Sequence, residues 1–202
     1  KQVGDRLSQL KNVGNLGLIS QTEGDYEQAL EYYTEALDIA RETEDPRSES
    51  LSLGNIGIVL RQQGRPEEAL KYFEQALEIA QSIGFRLSEG LSGGNRGDVL
   101  VALERLDEAE SAYRDAIVVC DETIPPAAGA FRGSLALLLA RRGELEEVQE
   151  LLDTGEPLVK DHVEECAKFL SKKGQICLLR GDLAGARAAL SRAQERVAQL
   201  GV

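Results

Sequence analysis

From Leu7 to Glu42 the apolar and small residues fall three and four positions apart with polar residues between them, the spacing of one face of an α-helix. The run is interrupted at Gly24-Asp25 and stops at Glu44-Asp45-Pro46. This predicts a helix A from about Leu7 to Thr22, a tight turn at the glycine, and a helix B from Tyr26 to about Glu42. Alone, such a hairpin leaves one apolar face wet, so the pattern demands a neighbour.

The neighbours are visible as repetition. Gly14-Asn15-Leu16-Gly17 recurs as Gly54-Asn55-Ile56-Gly57 and as Gly94-Asn95-Arg96-Gly97, at a spacing of 40 residues. A weaker copy, Gly133-Ser134-Leu135-Ala136, lies one residue out of register, and a fifth lies near Lys173-Gly174. A turn residue follows each copy: Gly24, Gly64, Glu104, Gly143 and Gly181. Helix B then carries a small column (Ala29, Ala69, Ala109, Val148, Ala186), a large one (Tyr33, Phe73, Tyr113, Leu152, Leu190) and a second small one (Ala36, Ala76, Ala116, Gly155, Ala193). Small columns let helix axes approach, and the large column fills the gap. Stacking covers every apolar face except those at the ends.

Composition adds to this picture in two ways. With no Trp, 4% aromatic and 42% apolar residues, the chain has material for many small contacts rather than one large core. The formal net charge of −12 disfavours nucleic acid and membrane and favours a basic partner, or simply solubility. The three cysteines, Cys120, Cys166 and Cys177, are odd in number and widely spaced, which argues against a disulfide framework or a metal site and for a reducing, cytoplasmic setting. No apolar run is long enough for a membrane helix. His162 has no nucleophile or carboxylate arranged with it in the sequence, and no phosphate-binding glycine loop occurs, so neither catalysis nor a cofactor is expected.

The helix B pattern of Ala, aromatic, Ala resembles the tetratricopeptide repeat family, over nearly the whole chain. The family's leading Trp in helix A is absent; Val13, Leu53, Gly93, Arg132 and Leu170 take its column. The longer period and the Gly-Asn-Leu-Gly helix A are similar to the subgroup of kinesin light chain and the spindle-orientation adaptors. The resemblance implies an all-α, right-handed α-solenoid of about five stacked antiparallel helix-turn-helix repeats. It would form a single repeat domain over 1–202, with units of approximately 7–46, 47–86, 87–125, 126–161 and 162–202. It also implies a non-catalytic protein-interaction module that takes a protein or peptide in a concave groove lined by helices A.

In the resembled subgroup the Asn column contacts bound peptide, which places Asn15, Asn55 and Asn95 in the groove. An Asn amide offers an acceptor and two donors, the complement of an extended peptide group. Asn that merely bridges neighbouring helices is the competing reading. Specificity is assigned to Lys11, Leu18, Gln21, Ile58, Arg61, Gln62 and Asp98.

Three local expectations follow. Arg96, at a packing column, needs a partner such as Asp98 or Glu104, or reaches out to water. Pro125-Pro126 stiffens the loop before the fourth helix A, and Pro157 interrupts the fourth helix B. Gly4 and Gly201 share the phase of the loop glycine Gly84, so the chain starts and stops in register without a Met, as a segment of a longer protein would. The alternative function is a structural or regulatory solenoid that self-associates through its uncapped ends or transmits a signal within a larger signalling protein.

Overall fold

The computed structural model describes residues 2–199. Among them are ten α-helices and no strand: α1 (Gln2–Glu23), α2 (Tyr26–Glu42), α3 (Pro46–Gln62), α4 (Pro66–Ser82), α5 (Arg86–Ala102), α6 (Leu106–Thr123), α7 (Pro125–Arg142), α8 (Val148–Val159), α9 (Val163–Leu179) and α10 (Leu183–Ala198). Odd-numbered helices are helices A and even-numbered ones helices B. The expected bounds of the first helix B are met in full, whereas α1 begins earlier than Leu7 and takes in Gly4, so Gly4 is no loop glycine. The expectation for Gly201 falls outside the described residues. Pro46 and Pro66 open α3 and α4, where no amide donor is missed, and Pro125-Pro126 likewise form the first turn of α7 rather than a loop.

The chain divides into two compact units, Lys1–Arg105 and Leu106–Val202. In the first, α1 pairs with α2 and α3 with α4, and each helix B also packs on the next helix A: α2 on α3 and α4 on α5. The turns follow from backbone chemistry. Gly24 and Gly64 sit at φ 84° and 73°. Glu104 holds the same place at φ 59°, a left-handed conformation that costs a non-glycine residue about 1–2 kcal/mol. The Asp25 carboxylate caps α2 by accepting from the Gln28 amide, and Asp45 caps α3 by accepting from Arg47 and Ser48.

Each hairpin of this unit closes around an aromatic ring. A Cβ placed on Gly17 would come within 2.7 Å of the Tyr33 ring, and one on Gly57 within 2.8 Å of Phe73. The second glycine of the repeated motif is therefore required by packing. The α3–α5 seam is closed by small polar residues instead. Buried Ser50 donates to the Ala76 carbonyl at 2.9 Å and pairs with the Ser88 hydroxyl at 2.6 Å.

In the second unit α6 packs on α7, α7 on α8 and α9, and α9 on α10. Its repeats have drifted, and the large filler comes from a different helix. Phe169 of α9 lies fully buried against the two glycines Gly133 and Gly155, where a Cβ would sit 2.7 and 2.8 Å from its ring. Pro157 stands inside α8 near its C-terminal end, and at 12 residues α8 is the shortest of the described helices. Next to the proline, Glu156 bridges Lys173 of α9 at 2.5 Å and Arg192 of α10 at 2.7 Å. Burial opposes its charge, but the Lys173 and Arg192 hydrogen bonds outweigh burial and hold its carboxyl below the usual range.

Candidate functional site

All ten residues assigned to the groove lie in the first unit, on α1, α3 and α5. Asn15 is exposed, and Asn55 and Asn95 are half-buried. Asn95 donates its amide to the Leu91 carbonyl of its own helix at 2.9 Å, which leaves its side-chain carbonyl and second N–H for another partner. Asn15 and Asn55 make no side-chain hydrogen bond to a described residue.

The first glycine of the motif behaves unlike the second. A Cβ on Gly14 would meet nothing within 4 Å, and one on Gly54 only the Ser92 hydroxyl at 3.6 Å, an ordinary contact. Asn15 and Asn55 therefore stand beside one packing glycine each, since only the second glycine of the motif is held by packing. A mid-helix glycine costs roughly 0.5–1 kcal/mol relative to Ala, and here no packing offsets that cost. What Gly14 and Gly54 do provide is bare backbone beside an Asn.

Polar bridges join the helices A near their C-terminal ends. Gln21 of α1 donates to Gln62 of α3 at 3.0 Å and accepts from the buried Tyr33 hydroxyl at 2.9 Å. Arg61 of α3 lies 3.5 Å from Asp98 of α5, with its Nε buried and without an acceptor. The structure therefore brings Gln21, Gln62, Arg61 and Asp98 together as bridging pairs. Lys11 stands apart, exposed near the middle of α1. Leu18 is exposed and Ile58 half-buried, at equivalent positions of α1 and α3.

Leu51 was not singled out in the sequence, although it stands 40 residues after Lys11, in the same column, and is exposed. The spacing that aligned the Asn residues would have found it. Arg96 was expected to pair with an acid such as Asp98 or Glu104 or to reach out to water; its partly exposed side chain brings Nε within 3.7 Å of Glu74 of α4, an approach across the hairpin that spacing along one helix does not reveal.

Charge is divided between the two kinds of helix. In this unit α2 and α4 carry nine acidic residues, with only Arg41 and Lys71 as bases, while acids and bases on α1, α3 and α5 nearly balance. The acidic excess of the unit lies on helices B and in turns, not on the helices that carry the Asn column. Among the described residues no helix is long and apolar enough to cross a membrane, and no three His, Cys, Asp or Glu side chains are placed to hold a metal ion.

Comparisons with known proteins bear on the fold. No curated protein matches the sequence. The structure is similar to BtubC (BKLC) from P. vanneervenii, at 18% identity and TM-score 0.73, covering 99% of this chain and 91% of that one. It is similar to the nearly identical TPR-like repeats of a kinesin light chain candidate from Podosopora anserina, at 17% identity and TM-score 0.68, over 96% and 97% of the two chains. It is also similar to the Rap conjugation gene regulator of plasmid pLS20 in complex with the Phr* peptide, at 20% identity and TM-score 0.72, over 95% of this chain and 63% of that one. One family profile described as tetratricopeptide repeat matches residues 8–82, and another of the same description matches 95–147 and 156–200. The all-helical architecture of repeated hairpins and these matches together place the chain in the tetratricopeptide repeat family.

Proposed function

We propose that the face formed by α1, α3 and α5 binds an extended segment of a partner protein or a peptide, without catalysis. The observation that carries this reading is the pairing of Asn15 and Asn55 with Gly14 and Gly54, whose missing side chains serve no packing in the unit. Such a pairing lets a ligand backbone lie close to the helix while the Asn amides hydrogen-bond its peptide groups and disregard its sequence. The half-exposed Arg61 guanidinium, together with Leu18, Leu51 and Ile58, would supply specificity. The Rap regulator, a protein of similar fold, is in complex with a peptide, which supports a peptide as the class of ligand.

The near balance of charge on the lining helices supports a neutral or acidic segment over the basic partner that net charge alone suggested. Free thiols at Cys120, Cys166 and Cys177 agree with a cytoplasmic setting. The test compares the protein with a variant carrying Asn15→Ala, Asn55→Ala and Asn95→Ala on a peptide array and in pull-downs, after circular dichroism shows both folded. At about 1 kcal/mol per hydrogen bond, the triple change should weaken binding on the order of a hundredfold. Unchanged partners and affinities would make the Asn column structural.

A further inference from the structure

Near the C-terminal ends of α1, α3 and α5 two polar bridges tie one helix A to the next, and only one of them carries charge. Between α1 and α3, Gln21 and Gln62 form an amide pair at 3.0 Å. Between α3 and α5, Arg61 Nη1 lies 3.5 Å from Asp98 Oδ2. The repeat shows how this second bridge arises: a cation enters the column of Gln21 at Arg61, and an acid enters the column of Leu18 and Ile58 at Asp98. Arg6, Glu49, Arg86 and Arg96 of the same helices are engaged in ion pairs of their own, so Arg61 and Asp98 decide the charge met at this level of the face.

Stability does not account for the charged bridge. Its members are 36% and 27% exposed, and at 3.5 Å an ion pair open to water contributes little. Nor does it satisfy the guanidinium, whose Nε stays buried without an acceptor. What the bridge does set is charge. With Asp98 in place, a ligand carboxylate that approaches the exposed part of Arg61 meets a carboxylate already there and is repelled. With Asp98 neutral, the same guanidinium would attract that carboxylate and hydrogen-bond it.

We infer that Asp98 is a specificity-determining residue of this face: by occupying Arg61 it excludes an acidic side chain from the ligand position over that bridge and admits a neutral one. The inference rests on the reading that the face of α1, α3 and α5 binds a peptide, and it narrows the ligand from a neutral or acidic segment to one that is neutral at that position.

The test uses an array of peptides printed as matched pairs, each pair differing only by Ala or Glu at one position, with every position sampled. The readout is the ratio of Glu to Ala binding in each protein, at physiological ionic strength and after circular dichroism shows the variants folded. In peptides whose capture is lost in the triple Asn→Ala variant, the parent's ratio should fall below one at a single position. Asp98→Asn keeps the size of the side chain and removes its charge, and should raise the ratio there by roughly fivefold, the upper range for a partly exposed ion pair. Adding Arg61→Gln to Asp98→Asn should return the ratio toward one, because the gain is a pairing with Arg61. A ratio that Asp98→Asn leaves unchanged overturns the inference, while Asn-dependent capture still upholds the binding face. A shift of equal size at every position also overturns it, since that reports charge acting at long range and not a contact with Arg61. Capture that is absent, or indifferent to the Asn changes, overturns the binding face and this inference with it.

Discussion

At the level of single residues, two glycines three positions apart in one helix are under opposite constraints. Gly17 faces the Tyr33 ring so closely that a methyl group must displace it, whereas a methyl group on Gly14 projects into open space. Gly17→Ala should destabilise the protein by about 1–3 kcal/mol, as overpacking does. Gly14→Ala should stabilise it by roughly 0.5–1 kcal/mol, because the helix gains a better former and the unfolded chain loses freedom. Denaturant midpoints at constant slope would measure both. If Gly14→Ala also weakens peptide capture, the bare backbone serves the ligand; if it stabilises and leaves capture intact, Gly14 is neutral to binding. The sequence showed both glycines as one motif, because a column of small residues looks the same whether it faces a ring or a groove. Only the position of Tyr33, set by the return of helix B, separates them.

Among the elements, the hairpins were legible wherever the period held. Spacing of 40 located α1 to α6 and the column that binds helix to helix, since each repeat solves the same packing problem with the same residue sizes. It failed where one repeat borrows from the next. Phe169, on α9, fills the notch between Gly133 of α7 and Gly155 of α8, a solution that no single repeat contains. Glu156 is a second such borrowing, tying α8 to α9 and α10 just before Pro157. Its folded pKa lies below its unfolded one, so the tie contributes stability above the unfolded value of about 4.3 and loses it as pH falls through the folded value. Stability measured against pH should therefore fall less steeply below about pH 4.3 in Glu156→Gln than in the parent, from a lower starting point at neutral pH. Equal slopes in the two proteins would mean that Glu156 titrates alike folded and unfolded.

On the scale of the whole molecule, the net charge of −12 hides an unequal distribution that decides what it can attract. Carboxylates crowd α2 and α4, with Glu31, Glu35 and Asp38 exposed together on α2, while the Asn column lies on helices whose charges nearly cancel. A basic peptide is therefore drawn to α2 and α4 rather than to the face proposed to bind. Such attraction acts between exposed charges in water and is screened over about 8 Å at physiological ionic strength. The hydrogen bonds proposed from Asn15, Asn55 and Asn95 to a peptide backbone, with apolar contacts at Leu18 and Leu51, would not depend on salt in this way. Two kinds of binding should then separate when a peptide set of graded charge is titrated at low and at physiological salt. Basic peptides should bind at low salt, lose most of that binding at higher salt, and be indifferent to the triple Asn→Ala change. Neutral or acidic peptides that occupy the Asn face should keep their affinity as salt rises and lose it in the triple variant. Were the basic peptides the ones sensitive to the Asn changes and resistant to salt, the charge on helices B would be reaching the groove ligand, and the partner would be basic after all.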